Sequence, residues 1–282
     1  MTGCEKAPII FHMFSSAFVR RECGGVVFYA CAALDRIPFM RHGFSTRHGG
    51  VSPFPERALN LSHVSWDESA RVDENRRRFL AALDIPEWSL ATLSQIHSDR
   101  VHIIEENPDQ WNRHTQGDAL VTRRAGVTLA VQVADCFPIL IADPETRAVG
   151  SIHAGWRGTL ARIVAKAVAK MRREFGCEPA RMIAAIGPGV RACCFEVGAE
   201  VMEAFEKEFP GARMTEERKD HPEKYLLDLH SALAIQFEEA GFSPGNVFDL
   251  EACTRCNLDE FFSYRGEGPR SGRMMGLIAA IA

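Results

Sequence analysis

Apolar and polar positions follow two periods along this chain, and they are clearest over residues 127–159, VTLAVQVADCFPILIADPETRAVGSIHAGWRGT. The runs VTLAVQV, PILIA and AVGSI each have strand length. Asp143-Pro144-Glu145-Thr146 separates the last two as a turn, with proline fixing its own φ. A glycine-rich stretch then opens LARIVAKAVAKMRREFG, an amphipathic-helix pattern. Apolar stripes at Val72, Phe79, Leu80 and Leu83 predict a helix over 69–83. Leu226, Leu229, Leu233 and Phe237 predict another over 225–240, with Gly241 as its C-cap. Strands are expected at 117–122, 181–186 and the C-terminal end. Residues 88–104 alternate, so Gln95 and His97 share a face if that strand is regular. Apolar patterns at 8–14 and 25–33, turned at Cys23-Gly24-Gly25, predict an N-terminal hairpin region within residues 1–40. The charged residues 214–224 read as an exposed loop. No repeat or low-complexity linker interrupts the pattern, so 1–282 reads as a single domain.

The central hairpin carries chemistry. If the turn closes with Ala142 opposite Arg147, Cys136 falls opposite His153, with Cβ atoms about 4.5–5.5 Å apart. Pro138 lacks an N–H, which predicts an edge strand or a bulge there, and a bulge would shift this register. After His153, the glycine-rich helix entry and Arg157 suit an anion; the same residues also fit a tight turn with a solvated arginine. Residues 40–52 concentrate Arg47, His48 and a glycine pair in a loop that reads as either a binding segment or a polar surface turn. Asp118 reads as a turn cap before a site carboxylate. Adjacent Cys193 and Cys194 are poorly placed to chelate one ion and read as small buried residues. Cys253-Thr254-Arg255-Cys256 is a C-x-x-C without a second pair following it, a weak zinc signal.

Composition narrows the partners. The 282 residues carry a net charge of −4 without basic clusters, which argues against nucleic acid and membrane surfaces. No apolar run has the length of a membrane span, and the N-terminal residues make a poor signal peptide. Nine unevenly spaced cysteines read as reduced thiols of a cytoplasmic protein.

The segments GFSTRHGGVS, LNLS, SQIHSDRV, GDALVT, ADCFPILI, HAGWRGT, IGPGVRACCFEVG and FFSYR…SGR occur in that order. Together they resemble the laccase-domain family, whose members are described as multicopper polyphenol oxidoreductases, purine nucleoside phosphorylases and a peptidoglycan editing factor. The resemblance implies an α+β fold, a single-domain sandwich of mixed β-sheets covered by helices. It implies a metal held by His97, Cys136 and His153, which are then also the catalytic residues. Two imidazoles and a thiolate with an open position suit zinc, with copper as the alternative. The activity implied is phosphorolysis of purine nucleosides (adenosine, inosine, methylthioadenosine), with adenosine deamination besides. The partners are then a small nucleoside and phosphate, with Arg47, Arg157, Gln95 and His48 as the substrate- and phosphate-binding candidates. Polyphenol oxidation fits less well: the ten histidines include no His-x-His pair, and multicopper chemistry needs several grouped histidines. The His-x-Glu and Pro-Cys-x-x-Cys pattern of known zinc deaminases is absent too. A Cys136–His153 amidohydrolase acting on a peptidoglycan precursor and a non-enzymatic metal-binding protein are the other readings. Gly189-Val190-Arg191 departs from the family's usual Ile-Gly continuation.

Overall fold

The computed structural model describes residues 14–15, 17–86, 89–105, 114–210, 212, 215–218 and 221–281. Two large mixed sheets lie face to face. The seven-stranded sheet runs in the order Phe14–Ser15, Val247–Asp249, Ile183–Ile186, Phe137–Ala142, Val149–Ala154, Ala119–Thr122, Val101–Ile103. The six-stranded sheet runs Phe18–Cys23, Val26–Cys31, Met40–Ser45, Met274–Ala280, Thr128–Val133, Leu90–Ala91. Side-chain alternation builds the layers. From the strand Phe137–Ala142, Ile139 and Ile141 pack under the helices Ile163–Phe175 and Leu229–Glu239, while Leu140 and Ala142 face the six-stranded sheet. The outer face of that second sheet is covered by Phe79 and Leu80 of the helix Ser69–Ala82, packed on Phe28 and Leu277. A strand covered on both faces is apolar throughout, which is why PILIA shows no alternation. The expected sandwich of mixed sheets between helices is the observed α+β fold.

The central hairpin differs from its expected register by two residues. Ala142 pairs with Val149, and His153 with Pro138. The loop is longer because the Asp143 side chain accepts the Glu145 N–H at 2.9 Å, and the Asp143 N–H closes on Ala148 O at 2.9 Å. A shift of two preserves which face each side chain takes, so Cys136 and His153 still meet. Pro138 lies neither at an edge nor in a bulge. Its strand is interior, and pairing with Ile183–Ile186 begins only at Ile139, so no ladder bond needs the missing N–H.

Other elements also depart from the pattern. The N-terminal hairpin turns at Gly24 and Gly25, whose φ of 58° and 82° fit a tight two-residue turn, but its first strand is Phe18–Cys23. The expected strand at 8–14 lies almost entirely outside the described residues. The helix after His153 is broken into Trp156–Leu160 and Ile163–Phe175 by Arg162 at φ 61°. The expected loop 214–224 contributes strands: Thr215–Arg218 and His221–Leu227 join Glu196–Gly198 in a three-stranded sheet. The following helix therefore starts later, at Leu229, where Asp228 caps the Ser231 N–H. Among the described residues no helix is long and apolar enough to cross a membrane.

Candidate functional site

Asp118 organises the site. It is fully buried at the start of the strand Ala119–Thr122. Its carboxylate accepts the His153 Nδ1 hydrogen bond at 2.8 Å, the His97 N–H at 2.9 Å, and both the N–H and Oγ–H of Ser98 at 2.6 Å. A carboxylate only accepts, so Nδ1 of His153 carries the proton and Nε2 is left for the site. His97 lies in a loop rather than a regular strand, at φ 58°, and Asp118 stabilises that uncommon backbone. Asp135, next to Cys136, is also left-handed, at φ 89°. It is fixed by Thr254 Oγ1 at 2.7 Å, Ser263 Oγ at 2.6 Å and the Arg265 N–H at 2.6 Å. Both residues, in this uncommon backbone region, flank the site, and hydrogen bonds accepted by the buried Asp118 and Asp135 carboxylates hold them there.

His97, Cys136 and His153 converge, with their ligand atoms all within 4.8 Å of one another. The two imidazoles lie 4.9 Å apart, inclined at 72°. Gly155 leaves the room: a Cβ there would stand 2.9 Å from both Cys136 Sγ and His97 Cδ2. Burial works to push the Cys136 thiol up, but His153 and the hydrogen bonds from both imidazoles hold it down at about 6. Burial likewise works to lower His153, and the Cys136 thiolate and Asp118 raise it to about 9. Each group thus favours the charged form of the other, thiolate beside imidazolium, when no ion occupies the centre. The donors also fit a single divalent ion: a soft thiolate, two imidazoles, and a carboxylate that fixes the tautomer of one of them.

A cavity of about 670 Å³ opens over this centre, and Arg76, Arg157, Arg265 and Arg273 all line it. Burial lowers the pKa of Arg273, opposed by the charges of Asp135 and the Cys136 thiolate. Trp156 and Tyr264 add aromatic surface to the lining.

The expected binding residues scatter. Arg157 lines the cavity, its guanidinium 4.2 Å above the Trp156 ring. Gln95 also lines it, but its amide is taken by the Gln132 backbone at both ends, at 2.7 Å each. His48 sits 3.2 Å from Glu260 and does not line the cavity. Arg47 is a correction: it is buried outside the cavity lining, stacked 4.7 Å over Phe262, donating to the Leu258 carbonyl and to Glu267 Oε1 at 2.8 Å. The helix entry is a correction too. Trp156–Leu160 is a single short turn, so its dipole is slight, and the arginines carry the positive charge. Asp118, Asp135, Arg76, Arg265 and Arg273 were not singled out as binding residues from the sequence. No spacing links them; the segments GDALVT, ADCFPILI and FFSYR…SGR hold Asp118, Asp135, Arg265 and Arg273, as positions in a motif and not as a charge pattern.

Residues 41–281 match the family model described as multi-copper polyphenol oxidoreductase laccase. The chain is 40% identical over 239 residues to a purine nucleoside phosphorylase of Deinococcus radiodurans, covering 84% of this chain and 88% of that protein. It is 36% identical over 252 residues to the adenosine deaminase RL5 of an unknown prokaryotic organism, covering 85% and 96% respectively. The crystal structure of YlmD from Geobacillus stearothermophilus superposes with a TM-score of 0.84 at 30% identity, over 95% of this chain and all of that one.

Proposed function

The chain belongs to this laccase-type family, and from that premise and the chemistry of its site we propose that it is a purine nucleoside enzyme. Its main reaction is phosphorolysis of adenosine, inosine and methylthioadenosine, with adenosine deamination at the same centre. One observation carries this reading: a cavity lined by four arginines beside a thiolate–imidazole centre. Arginines in fixed positions bind a phosphate dianion through paired N–H donors. The charges of Asp135 and Cys136 act on Arg273, and the Arg265 backbone N–H donates to Asp135, so both residues are tied to the centre. The exposed ring of Tyr264 offers the purine a stacking face.

In phosphorolysis a phosphate oxygen bonds to C1′ while the C1′–N9 bond breaks. The bonding pair leaves with the purine, and the proton that phosphate gives up ends on the base. The arginines hold the attacking group and bear its charge, so their contribution is positioning and electrostatics. His97, Cys136 and His153 would hold zinc in preference to copper, and such an ion supplies Lewis acidity at the centre. Asp118 keeps His153 oriented. In deamination, water adds at C6 of the purine and ammonia leaves. Multicopper oxidation has less support, because among the described residues no metal-ligating group contains more than two histidines.

The thiolate–imidazolium pair also favours a second reading, a cysteine amidohydrolase acting on a peptidoglycan precursor. One assay separates them. Adenosine or inosine is supplied with and without phosphate, and free base and ribose 1-phosphate are followed. Phosphate-dependent release of base supports the nucleoside reading. No base, with an acyl group accumulating on Cys136 from an amide substrate, replaces it by the second.

A further inference from the structure

Four cysteines meet on two loops that also contribute to the cavity wall, and none of the four lines the cavity. Cys193 and Cys194 lie in a tight turn in which the Cys194 and Phe195 N–H groups donate to Arg191 O at 2.8 and 2.9 Å. Cys253 and Cys256 lie in the turn that follows the strand Val247–Asp249. The backbone joins the turns: Gly189 pairs with Cys253, and the Thr254 N–H donates to Gly189 O at 3.1 Å. The pairs are far apart in sequence, so spacing alone does not reveal them. The four Sγ atoms lie within 4.8 Å of one another, with Cys256 Sγ 3.6 Å from Cys193 and 3.4 Å from Cys194.

We propose that Cys193, Cys194, Cys253 and Cys256 form a structural zinc site, separate from the His97–Cys136–His153 centre. Thiolates bound to zinc at about 2.3 Å in a tetrahedron stand about 3.8 Å apart, which these separations approach. They are far from the bonded distance of a disulfide, about 2.05 Å. Four clustered thiolates need a cation, and zinc supplies it with no vacant position left for chemistry. Arg255, whose guanidinium is 3.9 Å from Cys194 Sγ, offsets the remaining negative charge. Cys193 and Cys256 are exposed while Cys253 is buried, so an ion can enter from solvent and be held from beneath. The tightness of the vicinal pair is met by the turn at Arg191, which brings both thiols to one side.

The site adds a second tie between loops that the backbone already joins. One carries Val190 and Phe195, the other Tyr264 and Arg265, all lining the cavity. Between the second pair of cysteines, Thr254 reaches Asp135 beside Cys136. The ion braces the cavity wall without touching substrate.

The test uses the full chain carrying Cys136→Ala, which removes the thiolate of the other centre, purified under reducing conditions. Elemental analysis is expected to find one zinc per chain. Adding Cys253→Ser and Cys256→Ser is expected to abolish it. If that variant does not fold, Cys193→Ser alone in the cobalt-loaded Cys136→Ala protein serves, because its cysteine is exposed. The sulfur-to-cobalt absorption is then expected to fall by about a quarter, one thiolate in four. Absence of zinc with four titratable thiols, a disulfide among these cysteines in the freshly purified protein, or a cobalt spectrum unchanged by Cys193→Ser would each overturn the proposal. So would iron in place of zinc.

Discussion

Asp118 illustrates how a single carboxylate can set the character of a site it does not enter. Replacing it by Asn preserves shape but removes the charge that fixes His153 and the backbone of His97. Zinc affinity of the His97–Cys136–His153 centre, measured in protein whose Cys253 and Cys256 are replaced by Ser, is expected to fall about 10–100-fold on Asp118→Asn, the usual effect of losing such a support. A competition titration with a chromogenic chelator measures it, and unchanged affinity would remove Asp118 from its orienting role. The thiol gives a sharper reading. In metal-free protein the alkylation rate of Cys136 is expected to rise with a midpoint near pH 6, since His153 holds the thiol down to about 6 against the effect of burial. Cys177, pushed by burial up to about 11, is the internal control and stays unreactive. A Cys136 midpoint near the ordinary thiol value of about 8.5 would show that the ion pair does not form. Of these residues only Cys136 and His153 were brought together by the sequence pattern itself, because they flank one hairpin. His97 came with the family motif. In sequence Asp118 looks like a turn cap, since a lone acid before a strand has the same appearance whether it caps a turn or holds an imidazole.

At the level of elements, the sequence pattern succeeds where burial is one-sided or complete and fails where a side chain redirects the backbone. The helix Ser69–Ala82 and the strand Met274–Ala280 follow their apolar periods. The hairpin register slipped by two because Asp143 lengthened the loop, a choice made by one side-chain hydrogen bond. The edge strand Phe18–Cys23 has no apolar pattern because Arg20, Arg21 and Glu22 face solvent, and charges on an edge are protective rather than patterned. His42, in the strand Met40–Ser45, shows a stability effect at this scale. Its Nε2 accepts the Cys31 N–H at 2.8 Å, joining two neighbouring strands. Burial lowers its pKa to about 4, with Asp35 opposing. Unfolded, it titrates near 6.5. Between those values the unfolded chain binds the proton more readily, so this stability is complete above about pH 6.5 and is lost as pH falls towards 4. The loss is about 3 kcal/mol at most. His42→Gln keeps an acceptor but cannot titrate. Urea unfolding at pH 7 and pH 4.5 is expected to show a smaller acid loss in that variant than in the wild type. Equal losses would place the acid sensitivity elsewhere.

The anion-binding side of the cavity exists only at the scale of the whole molecule. Arg76 comes from the helix Ser69–Ala82, Arg157 from the turn after His153, and Arg265 and Arg273 from the C-terminal segment. Nothing in local spacing relates them, which is why the loop arginine Arg47 was the more conspicuous candidate from sequence. The two kinds of arginine make opposite predictions. Arg47 and Glu267 form a nearly buried pair, and Arg47→Ala leaves the Glu267 carboxylate with only the Ser263 N–H and takes the Arg47 donor from the Leu258 and Phe261 carbonyls. That change is expected to cost about 2–4 kcal/mol in urea unfolding, with the phosphate dependence of the surviving folded enzyme unaltered. Arg273 lies instead in the cavity wall, close enough to Cys136 and Asp135 for their charges to act on it. Arg273→Lys retains the charge but loses the planar fork that pairs with phosphate oxygens. Its apparent KM for phosphate is expected to rise about tenfold, equivalent to about 1.4 kcal/mol of lost anion binding, with little change in KM for inosine. Steady-state assays varying each substrate separate the two effects. If Arg273→Lys alters only stability, or raises KM for the nucleoside and not for phosphate, the dianion does not bind on this wall. In that case Arg157, which lines the same cavity from the turn beside His153, becomes the remaining phosphate candidate of the sequence reading.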